Sequence, residues 1–378
     1  MIISIIIFII TLLVLVLIHE LGHFLLAKKF NIKVLEFGFG IPPRAWGKKI
    51  GETIYSVNWL PLGGFVRLLG EDEVDKETLE DKRSFSAQSV SKRILVVVAG
   101  VSMTLIFAWL LFYIVLGFGG FKTQIPLILE HQFTGVVQKE ESFVVIAQVA
   151  KDSPAEGAGI KSGERVVSIN EEMIEDDRQL VEKTKSLAGA EIELKLADLQ
   201  NKQTHTIRVT PRLNPPEGEG PLGIALMQFE LANLEFQTPL QKIFSAPIHS
   251  WNLVAYSSKI FSKLISQSLA QKDVEPLSKS VAGPVGITSL ANTILTSTDS
   301  PFLPYLDFVA ILSLNLAVIN LLPIPALDGG RLIFLMIEAV TRKRVHAKVE
   351  KWIHTVGMAL LLTLAILITF SDIKKILY

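Results

Sequence analysis

The chain of 378 residues contains no cysteine. Disulfides and thiolate metal sites are therefore excluded, and any metal must be held by His, Asp, Glu or Asn. An excess of charge is missing as well, since 37 basic and 37 acidic side chains balance. Nothing in that balance points to nucleic acid or to an acidic ligand as a partner. Residues 2–18 hold almost no polar side chain. No positively charged stretch precedes them and no small-residue cleavage site follows. They read as a retained membrane helix and not as a signal peptide.

What the chain has in abundance is apolar sequence: 49% of its residues are hydrophobic and its mean hydropathy is +0.43. Four segments approach the roughly 20 residues that a spanning helix needs. They lie near 2–27, 94–118, 305–338 and 352–370. Pro323-Ile324-Pro325 and Gly329-Gly330 interrupt the third. Such a break is tolerated at membrane depth only where protein or a wet cavity surrounds it. Residues 28–93 contain twelve Lys or Arg and residues 342–351 contain five. Basic connections collect on the cytoplasmic side, which puts the N-terminus and the long 119–304 segment on the other face. Four spans satisfy that arrangement.

Between the spans the pattern changes. Residues 35–69 alternate glycines with β-formers, as in Phe37-Gly38-Phe39-Gly40 and Leu62-Gly63-Gly64-Phe65, and predict short strands with tight turns. Residues 125–212 predict a soluble α/β domain, with strands at 144–146, 166–169, 192–196 and 206–209 and a helix over 177–188. The Pro-Pro-Glu-Gly-Glu-Gly run from 215 reads as a linker. Residues 239–270 have helical periodicity, three lysines (Lys242, Lys259, Lys263) and no acid. That suits a helix on a membrane surface, and equally an amphipathic helix packed on its own protein. The expected divisions are 1–124 (two membrane helices and the β-rich piece), 125–212 (soluble domain), 213–304 (linker and surface helices) and 305–378 (two membrane helices).

Chemistry concentrates at His19-Glu20-Leu21-Gly22-His23. Two histidines four residues apart on a helix share one face, and Glu20 between them can address a metal-bound water. Zinc suits such a set. Ionisable residues within a spanning helix are costly, so three within five positions argue for function. A third ligand is needed. Asp328, in the broken third segment, supplies a carboxylate there; taken alone it could equally cap the helix that follows. Buried His and Asp also line proton paths in transporters, which is the competing class of function.

These motifs resemble the site-2 protease family of intramembrane zinc metalloproteases, in particular bacterial enzymes similar to the sigma-E-regulating protease. His19–His23 matches the family's metal motif, and Asn320-Leu321-Leu322-Pro323-Ile324-Pro325-Ala326-Leu327-Asp328-Gly329 matches its second, in which the Asp is a zinc ligand. The resemblance extends to Gly283-Pro284-Val285-Gly286-Ile287 and to the 35–69 hairpins. The run Ser153 to Val166 resembles a PDZ domain, and there is room for one. The family commonly has Asn where this chain has Thr104, which puts a substrate contact by that amide in doubt.

The resemblance implies a polytopic α-helical membrane protein with four spans, a membrane-associated β-hairpin region and one inserted PDZ-like domain. It implies Zn2+ held by His19, His23 and Asp328, with Glu20 as catalytic base. Substrates would be membrane proteins with single spanning helices, such as an anti-sigma factor or remnant signal peptides. Asn320 and, less directly, Asn315 would contact the substrate. Gly63 and Gly64 belong to a hairpin whose edge could take up an unwound substrate strand. The PDZ-like domain would act as a size filter or as a peptide binder.

Overall fold

The computed structural model describes residues 2–71, 80–198, 203–273, 280–296 and 300–377. Among them, four helices are long and apolar enough to cross a membrane. They are α1 (Ile2–Lys29), α2 (Val90–Phe118), the later helix Phe302–Leu321 and a span within the last helix, Ala347–Leu377. Each covers one of the apolar segments expected from sequence. In the last helix Leu360, Leu364, Ile366 and Phe370 are more than half exposed. Leaving such side chains in water forfeits about 1.5–3 kcal/mol each, so hydrocarbon is the solvent that this surface fits.

The chain forms two compact units, Met1–Val115 with Ser262–Tyr378, and Leu116–Phe261. The first contains the spans and a hairpin of two long strands, β1 (Val34–Ile50) and β2 (Thr53–Leu68). The short strands expected from the glycine spacing are thus halves of two folded-over strands. Thr53–Asn58 pairs with Arg44–Ile50 on one side and, through Ile54–Val57, with Glu36–Phe39 on the other, and Gly64–Leu68 pairs with the far side of Val34–Phe39. Register shifts between the halves let one hairpin turn back on itself. Glu36 sits buried in this hairpin, where Arg44 and Arg67 hold its carboxyl below the usual range against the opposing effect of burial.

The second unit is built on a seven-stranded antiparallel sheet. Its strands are β3 (Lys122–Pro126), β4 (Val137–Val149), β5 (Glu164–Ile169), β6 (Glu172–Met173), β7 (Ile192–Asp198), β8 (Thr204–Val209) and β9 (Ile224–Glu235), in the order β3-β9-β4-β5-β7-β8 with β6 beside β5. Helices α3 (Pro154–Gly157) and α4 (Asp177–Ser186) start at Ser153 and Asp176, whose side chains accept from the amides of Glu156 and Gln179. Val144, Ile146, Val166, Leu180, Leu194 and Leu196 form its core.

The sheet runs past the expected boundary at 212. β9, in the stretch read as linker and surface helices, pairs with β4 from Val137–Glu235 to Val149–Ile224. Its outward residues alternate too weakly with the inward ones to signal a strand, and pairing with β4 supplies what the local pattern lacks. After it come α5 (Pro239–Ile243) and α6 (Ser245–Gln271). On α6 the buried residues include Ala246, His249, Ser250 and Asn252, while Trp251, Phe261 and Leu269 are exposed.

The remaining helices are α7 (Pro284–Thr296), α8 (Phe302–Leu321), α9 (Asp328–Thr341) and α10 (Ala347–Leu377). The third membrane segment is therefore two helices separated by residues 322–327. Its break is held by α10, where His354 Nδ1 accepts from the Ala326 amide at 2.8 Å. The backbone freed by the prolines thus keeps a partner.

Candidate metal centre

One helical turn separates His19 from His23 on α1, and their rings meet edge to face with centroids 5.0 Å apart. Their Nε2 atoms lie 3.4 Å from each other. Asp328, the first residue of α9, places Oδ2 3.0 Å from His19 Nε2 and 3.3 Å from His23 Nε2. Capping does not occupy this carboxylate: α9 is preceded by Leu327 and has no side-chain cap hydrogen bond.

A metal fits these three atoms. Asp328 Oδ2 is buried and makes no hydrogen bond of acceptable geometry, despite two nitrogens close by. His23 Nδ1 lies 2.8 Å from the Val96 carbonyl. That oxygen only accepts, so Nδ1 donates and Nε2 keeps its lone pair free for a metal. Zinc–ligand distances of about 2.0–2.2 Å in a tetrahedron put ligand atoms roughly 3.3–3.6 Å apart. The observed triangle, with sides of 3.0, 3.3 and 3.4 Å, is close to that size.

Beside the triangle is a cavity of about 300 Å³ lined by Glu20, His23, Asp328, Glu71, Arg331 and the β2 residues Phe65–Leu68. Glu20 thus faces the same space as two of the candidate ligands. A Cβ at Gly64 would stand 3.5 Å from Glu20 Cγ, which puts the end of β2 against the general-base candidate. Gly63 has φ +81°, and a Cβ there would stand 3.9 Å from Ile41 Cγ1 and not within 4 Å of Glu20. Asn315 is exposed and Asn320 half-buried on α8, and neither lines the cavity.

Residues 7–364 match peptidase family M50. The chain belongs to this family. A Clostridium acetobutylicum protein is 31% identical over 95% of the chain and 94% of its own length. A Geobacillus kaustophilus protein named zinc metalloprotease RasP is 27% identical over 98% of both chains. A Bacillus subtilis protein named regulator of sigma-W protease RasP is 27% identical over 99% of both. A solved PDZ domain from Listeria monocytogenes covers 26% of this chain and 94% of its own, at 14% identity and a TM-score of 0.20. The M50 peptidase described here is a multi-pass membrane protein and a zinc metalloprotease.

In this M50 peptidase, α2 supplies surroundings for the histidines that the sequence reading did not assign. A Cβ on Gly22 would come within 2.2 Å of the Ala99 carbonyl oxygen, and one on Gly100 within 2.3 Å of His23 Nε2. Both glycines let α1 and α2 approach closely enough for Val96 to reach His23. Ala99-Gly100 inside a span is the available signal, because small residues mark close helix packing in membranes. Arg331 and Glu71, which form an ion pair at the cavity, carry no such signal. They lie 260 residues apart in the chain.

Proposed function

We propose that this zinc metalloprotease hydrolyses peptide bonds within the spanning helices of other membrane proteins, chiefly those with a single span. The observation that carries the reading is where the candidate ligands sit. His19 and His23 lie in the apolar span Ile2–Lys29, and Asp328 opens the helix that follows the break after the span Phe302–Leu321. A hydrolytic centre at that depth meets membrane helices before it meets soluble chains.

His19, His23 and Asp328 are assigned as the ligands. When bound, zinc acidifies water and polarises a carbonyl. Glu20 takes a proton from the attacking water and delivers it to the leaving amine. Asn320 is assigned to the oxyanion or the substrate backbone, since its amide both donates and accepts, with Asn315 as a further contact. A helical substrate hides its amides and must unwind first. Gly63, Gly64 and the strand after them are assigned to receive the extended form by strand addition. Support comes from the hairpin, in which Gly64–Leu68 pairs with β1 and Phe65–Leu68 also lines the cavity.

The basic connections 28–93 and 342–351 support a cytoplasmic position for the site. The N-terminus and the inserted domain are then outside, in a cytoplasmic (inner) membrane. The inserted domain, PDZ-like in its Ser153–Val166 run, is assigned as a filter against large ectodomains, with capture of a new C-terminus as the alternative. The Bacillus relative's name, regulator of sigma-W protease, supports a substrate of the anti-sigma factor kind. Remnant signal peptides are the second substrate class. Glu20→Gln should keep zinc and abolish cleavage of model membrane helices; turnover by the zinc-loaded variant would refute the role of Glu20.

A further inference from the structure

We infer that Thr104 holds His19 in the tautomer and orientation that bind the metal. The inference rests on the assignment of His19 as a ligand. Thr104 lies on α2 and is completely buried. Its Oγ1 donates to the Gly100 carbonyl at 2.9 Å and lies 3.0 Å from His19 Nδ1. A hydroxyl has one proton. With that proton directed at Gly100, the oxygen meets His19 only through a lone pair, and Nδ1–H must be the donor. His19 Nε2 then bears no proton and points its lone pair at the space it shares with His23 and Asp328.

A second observation agrees. Were the hydroxyl turned toward Nδ1 instead, the proton of His19 would sit on Nε2, 3.0 Å from Asp328 Oδ2. That oxygen makes no hydrogen bond of acceptable geometry. Thr104 is itself held in place. The Ser313 hydroxyl on α8 donates to the Thr104 carbonyl at 2.9 Å, and both residues are fully buried. Both histidines therefore have their Nδ1 bound by α2, His23 by the Val96 carbonyl and His19 by the Thr104 hydroxyl. Partners of this kind fix ring orientation and raise ligand basicity, and losing one weakens metal affinity roughly 10–100-fold.

Thr104 is thus a positioning residue, and its test reads the metal directly. Full-length protein in detergent is titrated with zinc against a chelator, and the cobalt-substituted form is examined by visible absorption. Thr104→Val, which keeps the shape and removes the hydroxyl, should bind zinc about 10–100-fold more weakly and alter the cobalt band. Thr104→Ser, which restores the acceptor, should return both towards wild type. Wild-type zinc affinity with an unchanged cobalt spectrum in Thr104→Val overturns the inference. Should that variant fail to fold, Thr104→Ala, which only removes atoms, is read in the same way. His19→Ala separates the two levels. Zinc retained there at wild-type affinity refutes His19 as a ligand, whereas zinc lost there but kept in Thr104→Val refutes the role of Thr104 alone.

Discussion

At Gly100 a single methyl decides whether the centre can form. An alanine there would set its Cβ 2.3 Å from His23 Nε2, the atom assigned to face the metal. Either the ring turns away from the Val96 carbonyl or α1 moves off α2. Gly100→Ala should therefore lower zinc affinity by at least about tenfold, by the same logic that links ligand orientation to affinity. Chelator competition on the purified variant checks it, and zinc bound as tightly as in wild type would count against the packing described. Asp328 gives a sharper case. Asp328→Asn keeps the volume but replaces the anionic donor, so it should lose zinc even though α9 has no side-chain cap to lose.

At the level of elements, the end of β2 and the middle of α6 make separate predictions. Neighbouring residues of a strand point their amides to opposite sides, so of Phe65 and Val66 one addresses the free edge. Proline placed at each in turn should slow cleavage in at least one variant while zinc content stays constant. Unchanged rates in both would reject strand addition. On α6, burial pushes His249 down to about 4. The folded helix keeps the ring neutral, whereas an unfolded chain takes up a proton near pH 6.5. The unfolded state thus binds more protons between about pH 6.5 and about pH 4, and stability falls as the pH falls through that window. Protection of the amides along α6, taken relative to the intrinsic exchange rate at each pH, should fall on acidification, and His249→Leu should flatten the response.

At the scale of the whole molecule, the inserted sheet can be cut out without touching the segments that carry the candidate ligands. Lys122 pairs with Glu235, so the two ends of the sheet lie side by side and a short linker can join them. The candidate ligands belong to the other compact unit. Excision of residues 122–235 should leave zinc content unchanged. A filter then predicts cleavage of substrates that still carry their ectodomains, whereas a recruiting domain predicts loss of cleavage. Dialysis against a strong chelator should stop cleavage in intact and excised protein alike, and zinc should restore it.

Much of this architecture was legible because it is local. Apolar length alone marks the four spans, and spacing alone puts His19 and His23 on one face of α1. The strands at 144–146, 166–169, 192–196 and 206–209 announced themselves by short runs rich in β-formers. What adds a partner from far along the chain could not be read this way. β9 is a strand because β4 pairs with it. Asp328 read alone was as good a cap as a ligand, and only the two histidines favoured the ligand; the structure sets its carboxylate 3.0 and 3.3 Å from their Nε2 atoms. Thr104, which the sequence marked only as a departure from the family's Asn, is the hydrogen-bond partner of His19, 85 residues away. Sequence by itself determined the solvent of each helix and the donor atoms available for zinc, because hydrophobicity and helical pitch act over a few residues. Only the tertiary structure decided how closely those donors converge and which hydrogen-bond partners their rings meet, because both depend on helices brought together through the membrane segments.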